Sequence, residues 1–366
     1  MTVHPSARID RSTEQQTLVR LHLNEHPLPP LPSVAHAIGE AMACAQQYPD
    51  FYPDALATAL ARWCDIPDDH VVVGNGSVGV ALQFLHAALS PGSQLVYGWR
   101  NFDGYPLLAE MTHATAVPVP LRSDGHQDLT ALLNAIGPQT RAIIVCNPHN
   151  PTGTLVDAPA LTEFLARVPL HVLVLLDEAY TEFVGPERPD SLMLLARHPN
   201  MVILRTFSKA YGLAGLRVGY GLAHPHLAQA ARRHQLPFGI TAAATAAVHA
   251  SLQAHSELLA RIRTITHTRD SLREALARQG WTIPHSHANF LWLEDPGTIE
   301  NTHRRLRRAG FHARAYPGEG LRLTVPDTNT VASLLDVLSS ELDSEAPIDR
   351  QVAGVNRSGS NGGSIL

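Results

Sequence analysis

From about residue 46 to 250 the chain alternates short apolar runs with longer stretches whose apolar positions recur at helical spacing. The runs are VVV (71–73), QLVYG (94–98), RAIIVC (141–146), HVLVLL (171–176) with its flanks, and MVILR (201–205). Between them VGVALQFLHAAL (78–89), DAPALTEFLARV (157–168) and ITAAATAAVHASLQ (240–253) read as helices, the last rich enough in alanine to pack closely in a core. Positions 142–145 and 172–176 carry no polar residue, as expected of strands covered by helices on both faces. The alternation predicts an α/β fold with a large, doubly wound, mostly parallel sheet.

After about residue 262 the pattern changes. A long helix ends near Gly280, a short strand follows around 288–293, then a helix through NTHRRLRRAG, a strand GLRLTV (320–325) and an amphipathic helix at 331–342. The reading is a large domain over 46–261 and a smaller α+β domain made of 17–45 with 262–342. Residues 1–16 are expected to form an N-terminal arm. The Gly/Ser/Asn-rich stretch 343–366 shows no periodicity and reads as a disordered tail.

Composition narrows the function classes. A formal charge of −5 over 366 residues, without basic runs, argues against a nucleic-acid partner. No window approaches the roughly 20 apolar residues of a membrane span, and the first residues lack the apolar stretch of an export signal. Three cysteines without a CxxC pair fit a reducing compartment, so a soluble cytoplasmic protein is expected. The 21 histidines form no compact ligand set with carboxylates or thiols, so no metal site is expected. Among 28 basic residues Lys209 is the only lysine. It is either a leftover surface residue or a site of chemistry that only an amine performs.

In a parallel sheet, ligands bind beyond the carboxyl ends of the strands. Four such ends are followed by polar clusters: GNGS (74–77), NPHNPTG (147–153), DEAY (177–180) and TFSKAYGLAGLRVG (206–219). Each alone is explained by a turn or a helix cap; four together point to a converging site.

These segments resemble the fold-type I pyridoxal-phosphate aminotransferases, over about residues 21 to 340, most specifically in SKxxGLAGLRxG, NPxNPTG and DEAY. The resemblance implies pyridoxal 5'-phosphate as cofactor and makes Lys209 its Schiff-base lysine, the group that then carries the substrate proton. It implies that Asp177 pairs with the pyridine nitrogen, and that Asn150 and Tyr180 hydrogen-bond the phenolate oxygen. Gly76, Ser77, Thr206, Ser208 and Arg217 would hold the phosphate, and Phe102 would stack on the ring. Tyr48, preferred over Tyr52, would reach the partner's cofactor in a homodimer with shared sites. Arg322 would grip the substrate carboxylate, with Asn24 and Asn150 beside it; Pro326 stands where a glycine is frequent.

Within the superfamily the chain resembles the histidinol-phosphate aminotransferase group through LHLNEHP, YPDFYPDAL and GNGS. A narrower likeness in GNGSVGVALQ, VYGWRNFDGYP and LPFGITAAATAAVHASL is to the high-GC bacterial aromatic aminotransferases. The expectation is ping-pong transfer of an amino group from an aromatic L-amino acid to 2-oxoglutarate. Histidinol phosphate, an amino acid of specialised metabolism, and decarboxylation or oxidation on the same scaffold are the alternatives.

Overall fold

The computed structural model describes residues 18–294 and 299–339. The expected N-terminal arm (1–16) and tail (343–366) lie outside the described residues, as do 340–342 of the last expected helix. Among the described residues there are eleven strands: β1 (Val19–Leu21), β2 (Val71–Gly74), β3 (Gln94–Trp99), β4 (Thr115–Pro120), β5 (Thr140–Cys146), β6 (Leu173–Asp177), β7 (Met201–Thr206), β8 (Gly219–Ala223), β9 (Phe290–Leu293), β10 (Phe311–Tyr316) and β11 (Gly320–Thr324).

A seven-stranded sheet runs in the order β2-β8-β7-β6-β5-β3-β4, parallel except for β8. Alternate residues of its strands feed opposite cores: Val174 and Leu176 face one, Leu173 and Leu175 the other. The interior strands are therefore apolar on both faces. A four-stranded sheet, β1-β10-β11-β9, has a third core of its own around Leu291, Leu306 and Leu323.

Two strands of the large sheet escape the hydrophobic pattern. β4 contains Pro118 and Pro120, tolerated because it is the edge strand, where missing ladder donors cost little. β8 (GYGLA) carries glycines because helix Gly76–Ala88 lies directly on it. A Cβ on Gly219 would sit 2.5 Å from the Ser77 amide, and one on Gly221 2.8 Å from Phe84.

Segment 17–45, expected to join the small domain, divides. β1 pairs with β10 in the small sheet, whereas helix Pro32–Met42 packs along the alanine-rich helix Ala242–Gln253 and places Val34 in the large core. Helix His255–Arg278 runs straight through the expected boundary at 261–262, with Leu258 and Ile262 in the large core and Leu272 and Leu276 in the small one.

Candidate active site

The parallel strands β2, β3, β5, β6 and β7 end at one edge of the large sheet, and the small sheet stands over that edge. Between them lies a cavity of about 280 Å³. The large sheet supplies Ser77 and Phe102 from the segments after β2 and β3, Asn150 after β5, Asp177 and Tyr180 at the end of β6, and Thr206, Ser208, Lys209 and Arg217 around the β7–β8 connection. The small sheet supplies Asn24 after β1 and Arg322 from β11.

One wall is built for an anion. Helix Gly76–Ala88 starts without a side-chain cap, because Asn75 donates instead to the Gly239 carbonyl at 2.5 Å. Its first amides are left as donors. Against them lies Arg217: a Cβ on Gly76, itself at φ +73°, would come within 2.4 Å of the guanidinium. Arg217 Nη1 donates to Ser208 Oγ at 3.3 Å, and Thr206 Oγ1 donates to Ser208 Oγ at 2.9 Å. Hydroxyls, guanidinium and helix amides thus crowd one end of the cavity.

The floor holds a buried carboxylate. Asp177 Oδ1 accepts from the Ala179 amide at 3.1 Å and Oδ2 from the Tyr105 hydroxyl at 2.8 Å. Burial pushes its pKa up, with those two hydrogen bonds opposing the shift. Lys209 opens onto the cavity and donates to the Leu23 carbonyl at 2.9 Å. Burial, then the positive charge of Arg322, lowers its amine to a pKa of about 7.

The third wall joins the sheets. Arg322 donates from Nη1 to Asn150 Oδ1 at 2.5 Å and from Nη2 to the His22 carbonyl at 2.6 Å, while its buried Nε has no protein partner. Asn24 donates from Nδ2 to the Tyr180 hydroxyl at 2.9 Å and is anchored through its own amide to Thr324 Oγ1 at 3.0 Å.

Residues 16–338 match the sequence profile of aminotransferase class I and II. The chain belongs to this family. It is 46% identical over 313 residues, covering 85% of this chain and 87% of the relative, to an aromatic amino acid aminotransferase of Thermobifida fusca. It is 44% identical over 307 residues to that of Streptomyces avermitilis, with 84% and 86% covered. The solved histidinol-phosphate aminotransferase of Sinorhizobium meliloti, in complex with pyridoxal-5'-phosphate, superposes with a TM-score of 0.82 at 28% identity, covering 88% of this chain and 91% of that one.

In this aminotransferase the cavity gathers eleven of the thirteen residues singled out in the sequence; Gly76 and Tyr48 are the exceptions. Gly76 lies behind the anion wall under Arg217. Tyr48 is 83% exposed and its ring lies tilted against Phe238, which also meets Phe51, so the PFGI segment contributes to a surface aromatic patch rather than to this chain's own cavity. Sequence reasoning missed Tyr105, three residues after Phe102 in GWRNFDGY, because a buried tyrosine in an apolar helix looks like core. It also missed Arg314, which lines the cavity and pairs with Asp103 at 2.7 Å. The signal was the spacing to Arg322 around the turn YPGEG, which sets the two arginines side by side in a hairpin.

Proposed function

We propose that this aminotransferase holds pyridoxal phosphate in the cavity and transfers the amino group of an aromatic L-amino acid to 2-oxoglutarate in a ping-pong cycle, as a cytoplasmic homodimer. The observation that carries this reading is the placement of the only lysine, Lys209, in one cavity with an anion wall and a buried carboxylate. That donor set fits the cofactor. Ser77, Thr206, Ser208, Arg217 and the amides of helix Gly76–Ala88 would hold a phosphate, Asp177 would hold a cationic ring nitrogen, and Phe102 offers an aromatic face.

Bound pyridoxal phosphate supplies a carbonyl that takes up the substrate amino group and a protonated ring that draws electrons from the carbon losing its proton. The protein supplies the rest. Lys209 Nζ, with a pKa of about 7, is available as a neutral amine near neutral pH, both to attack a carbonyl and to accept and return a proton. Asp177, fixed by two hydrogen bonds, has lone pairs left to offer to a cation. Tyr180 accepts from Asn24 and so keeps its own proton to donate into the cavity; burial raises its pKa and holds it protonated. Asn150, whose Oδ1 is taken by Arg322, has its Nδ2 left to donate. Arg322 is the innermost cation of the substrate side and would bind the carboxylate common to amino and oxo acids.

The relatives named above support an aromatic donor. Arg314 beside Arg322 gives a second cation that suits a dicarboxylic acceptor. The same arginine favours a second reading, histidinol phosphate as donor. The exposed Tyr48–Phe51–Phe238 patch supports a subunit interface that would carry Tyr48 to the partner's cofactor. The free thiols of Cys44, Cys64 and Cys146 suit a reducing cytoplasm.

The test is competition kinetics on purified protein with phenylalanine, tyrosine, tryptophan and histidinol phosphate as donors to 2-oxoglutarate. An aromatic amino acid is expected to give the highest kcat/KM. A preference for histidinol phosphate above about a hundredfold, the range one lost polar contact produces, would overturn the aromatic reading.

A further inference from the structure

Asp177 takes its two hydrogen bonds from different sources. Ala179 belongs to the same turn and moves with the aspartate. Tyr105 comes from helix Gly104–Met111, on the far side of the β3–β5 pair, and ties Oδ2 to a separate part of the fold. The Tyr105 ring is 2% exposed, meets Tyr97 and Phe102 edge-on at 5.9 and 5.6 Å, and sits in an apolar core with Leu108 and Ala109. A phenylalanine would fill that space. The hydroxyl is the one part of the side chain whose placement packing does not explain, and it points at the carboxylate.

We propose that Tyr105 is a positioning residue for this aminotransferase: its hydroxyl fixes the rotation of the Asp177 carboxylate and keeps it anionic for pairing with a cationic ring nitrogen. The inference rests on the pyridoxal-phosphate reading above. The groups facing Asp177 are Tyr105 from helix Gly104–Met111, Cys146 from the end of β5, Glu178 and Tyr180 from its own segment and Lys209 from beyond β7. Cys146 lies beside the Tyr105 hydroxyl, and burial raises the pKa of both, so each is a neutral donor. Asp177 Oδ2 accepts the hydrogen bond, and the tyrosine keeps its proton. Without that donor a buried carboxylate is easier to protonate, and a neutral acid holds a pyridinium poorly.

The experiment titrates apoprotein with pyridoxal phosphate and with its 1-deaza analogue, in which carbon replaces the ring nitrogen, following intrinsic fluorescence. Tyr105→Phe is expected to weaken pyridoxal phosphate by about ten- to hundredfold, the span of a hydrogen bond to a charged group, and to leave the deaza analogue unchanged. In an Asp177→Asn background the same substitution should have no further effect on pyridoxal phosphate. Equal weakening of both ligands, or an undiminished effect in the Asp177→Asn background, would make Tyr105 a merely structural residue and overturn the proposal. So would unchanged affinity of Tyr105→Phe for pyridoxal phosphate. Failure of the wild type to bind pyridoxal phosphate would instead defeat the cofactor reading on which the proposal stands.

Discussion

Arg314 and Arg322 stand directly opposite each other across the β10–β11 pair, and both line the cavity. The inner one, Arg322, is 7% exposed and locked by Asn150 and the His22 carbonyl; the outer one, Arg314, is about half exposed and held by Asp103 across the cavity mouth. Two like charges side by side are costly unless anions lie against them. The pair therefore divides the substrate side into an inner and an outer anion position.

Removing the inner cation should affect every substrate. Arg322→Ala is expected to raise KM for amino acid and oxo acid alike and to cost about 2–4 kcal/mol in kcat/KM, since a buried charge-assisted contact is lost in both half-reactions. Steady-state kinetics on each substrate separately checks this. An effect confined to one of them would remove Arg322 from the carboxylate role.

The outer cation should discriminate. Arg314→Ala is expected to lower kcat/KM for 2-oxoglutarate by about tenfold, because its site is half solvated, and to spare phenylalanine. The comparison is between half-reactions with the dicarboxylic acid and with the aromatic one. Equal losses would place Arg314 in the scaffold instead.

Lysine chemistry gives the sharpest prediction. Purified protein should be yellow, and borohydride should fix the cofactor covalently to Lys209, identified by mass spectrometry of the peptide that carries it. Lys209→Arg keeps the charge but should abolish turnover, because a guanidinium stays protonated and neither attacks a carbonyl nor carries a proton at neutral pH. Residual activity near wild type in that variant would end the mechanism.

The lowered pKa of Lys209 also predicts how the apoprotein responds to pH. The folded amine titrates at about 7, below its ordinary unfolded value of about 10.4. Between these limits the unfolded chain binds more protons than the folded one, so stability rises with pH across that window. The destabilisation is full below pH 7 and fades towards pH 10. Wild-type apoprotein should accordingly gain stability relative to Lys209→Met from pH 7 to 10 in denaturant titrations. A constant difference between the two would show an amine with an ordinary pKa.

Shared sites can be tested by mixing subunits. If Tyr48 serves the partner's cofactor, a hybrid of Lys209→Ala and Tyr48→Ala chains contains one site with both residues intact. Refolded mixtures should then recover activity that neither parent shows at limiting pyridoxal phosphate. No recovery would return Tyr48 to a role within its own chain's surface patch, where it packs on Phe238.

Much of this arrangement was written along the chain. The runs at 142–145 and 172–176 are apolar on both faces because helices cover both sides of β5 and β6, so periodicity alone located the central strands. The polar clusters after those runs lie at one sheet edge because parallel strands must end together, which made Asp177, Asn150 and Lys209 legible as neighbours. What the sequence left open depends on approach in three dimensions. β4 and β8 are strands because an edge tolerates proline and a closely packed helix demands glycine, facts about neighbours rather than about their own residues. Tyr105 becomes a partner of Asp177 only when helix Gly104–Met111 packs against β3 and β4, since a tyrosine hydroxyl carries no record in the sequence of the acceptor it will meet. Arg314 joins the cavity only through the hairpin register that sets it beside Arg322, and the helix His255–Arg278 joins two cores that hydrophobic patterning reads as separate.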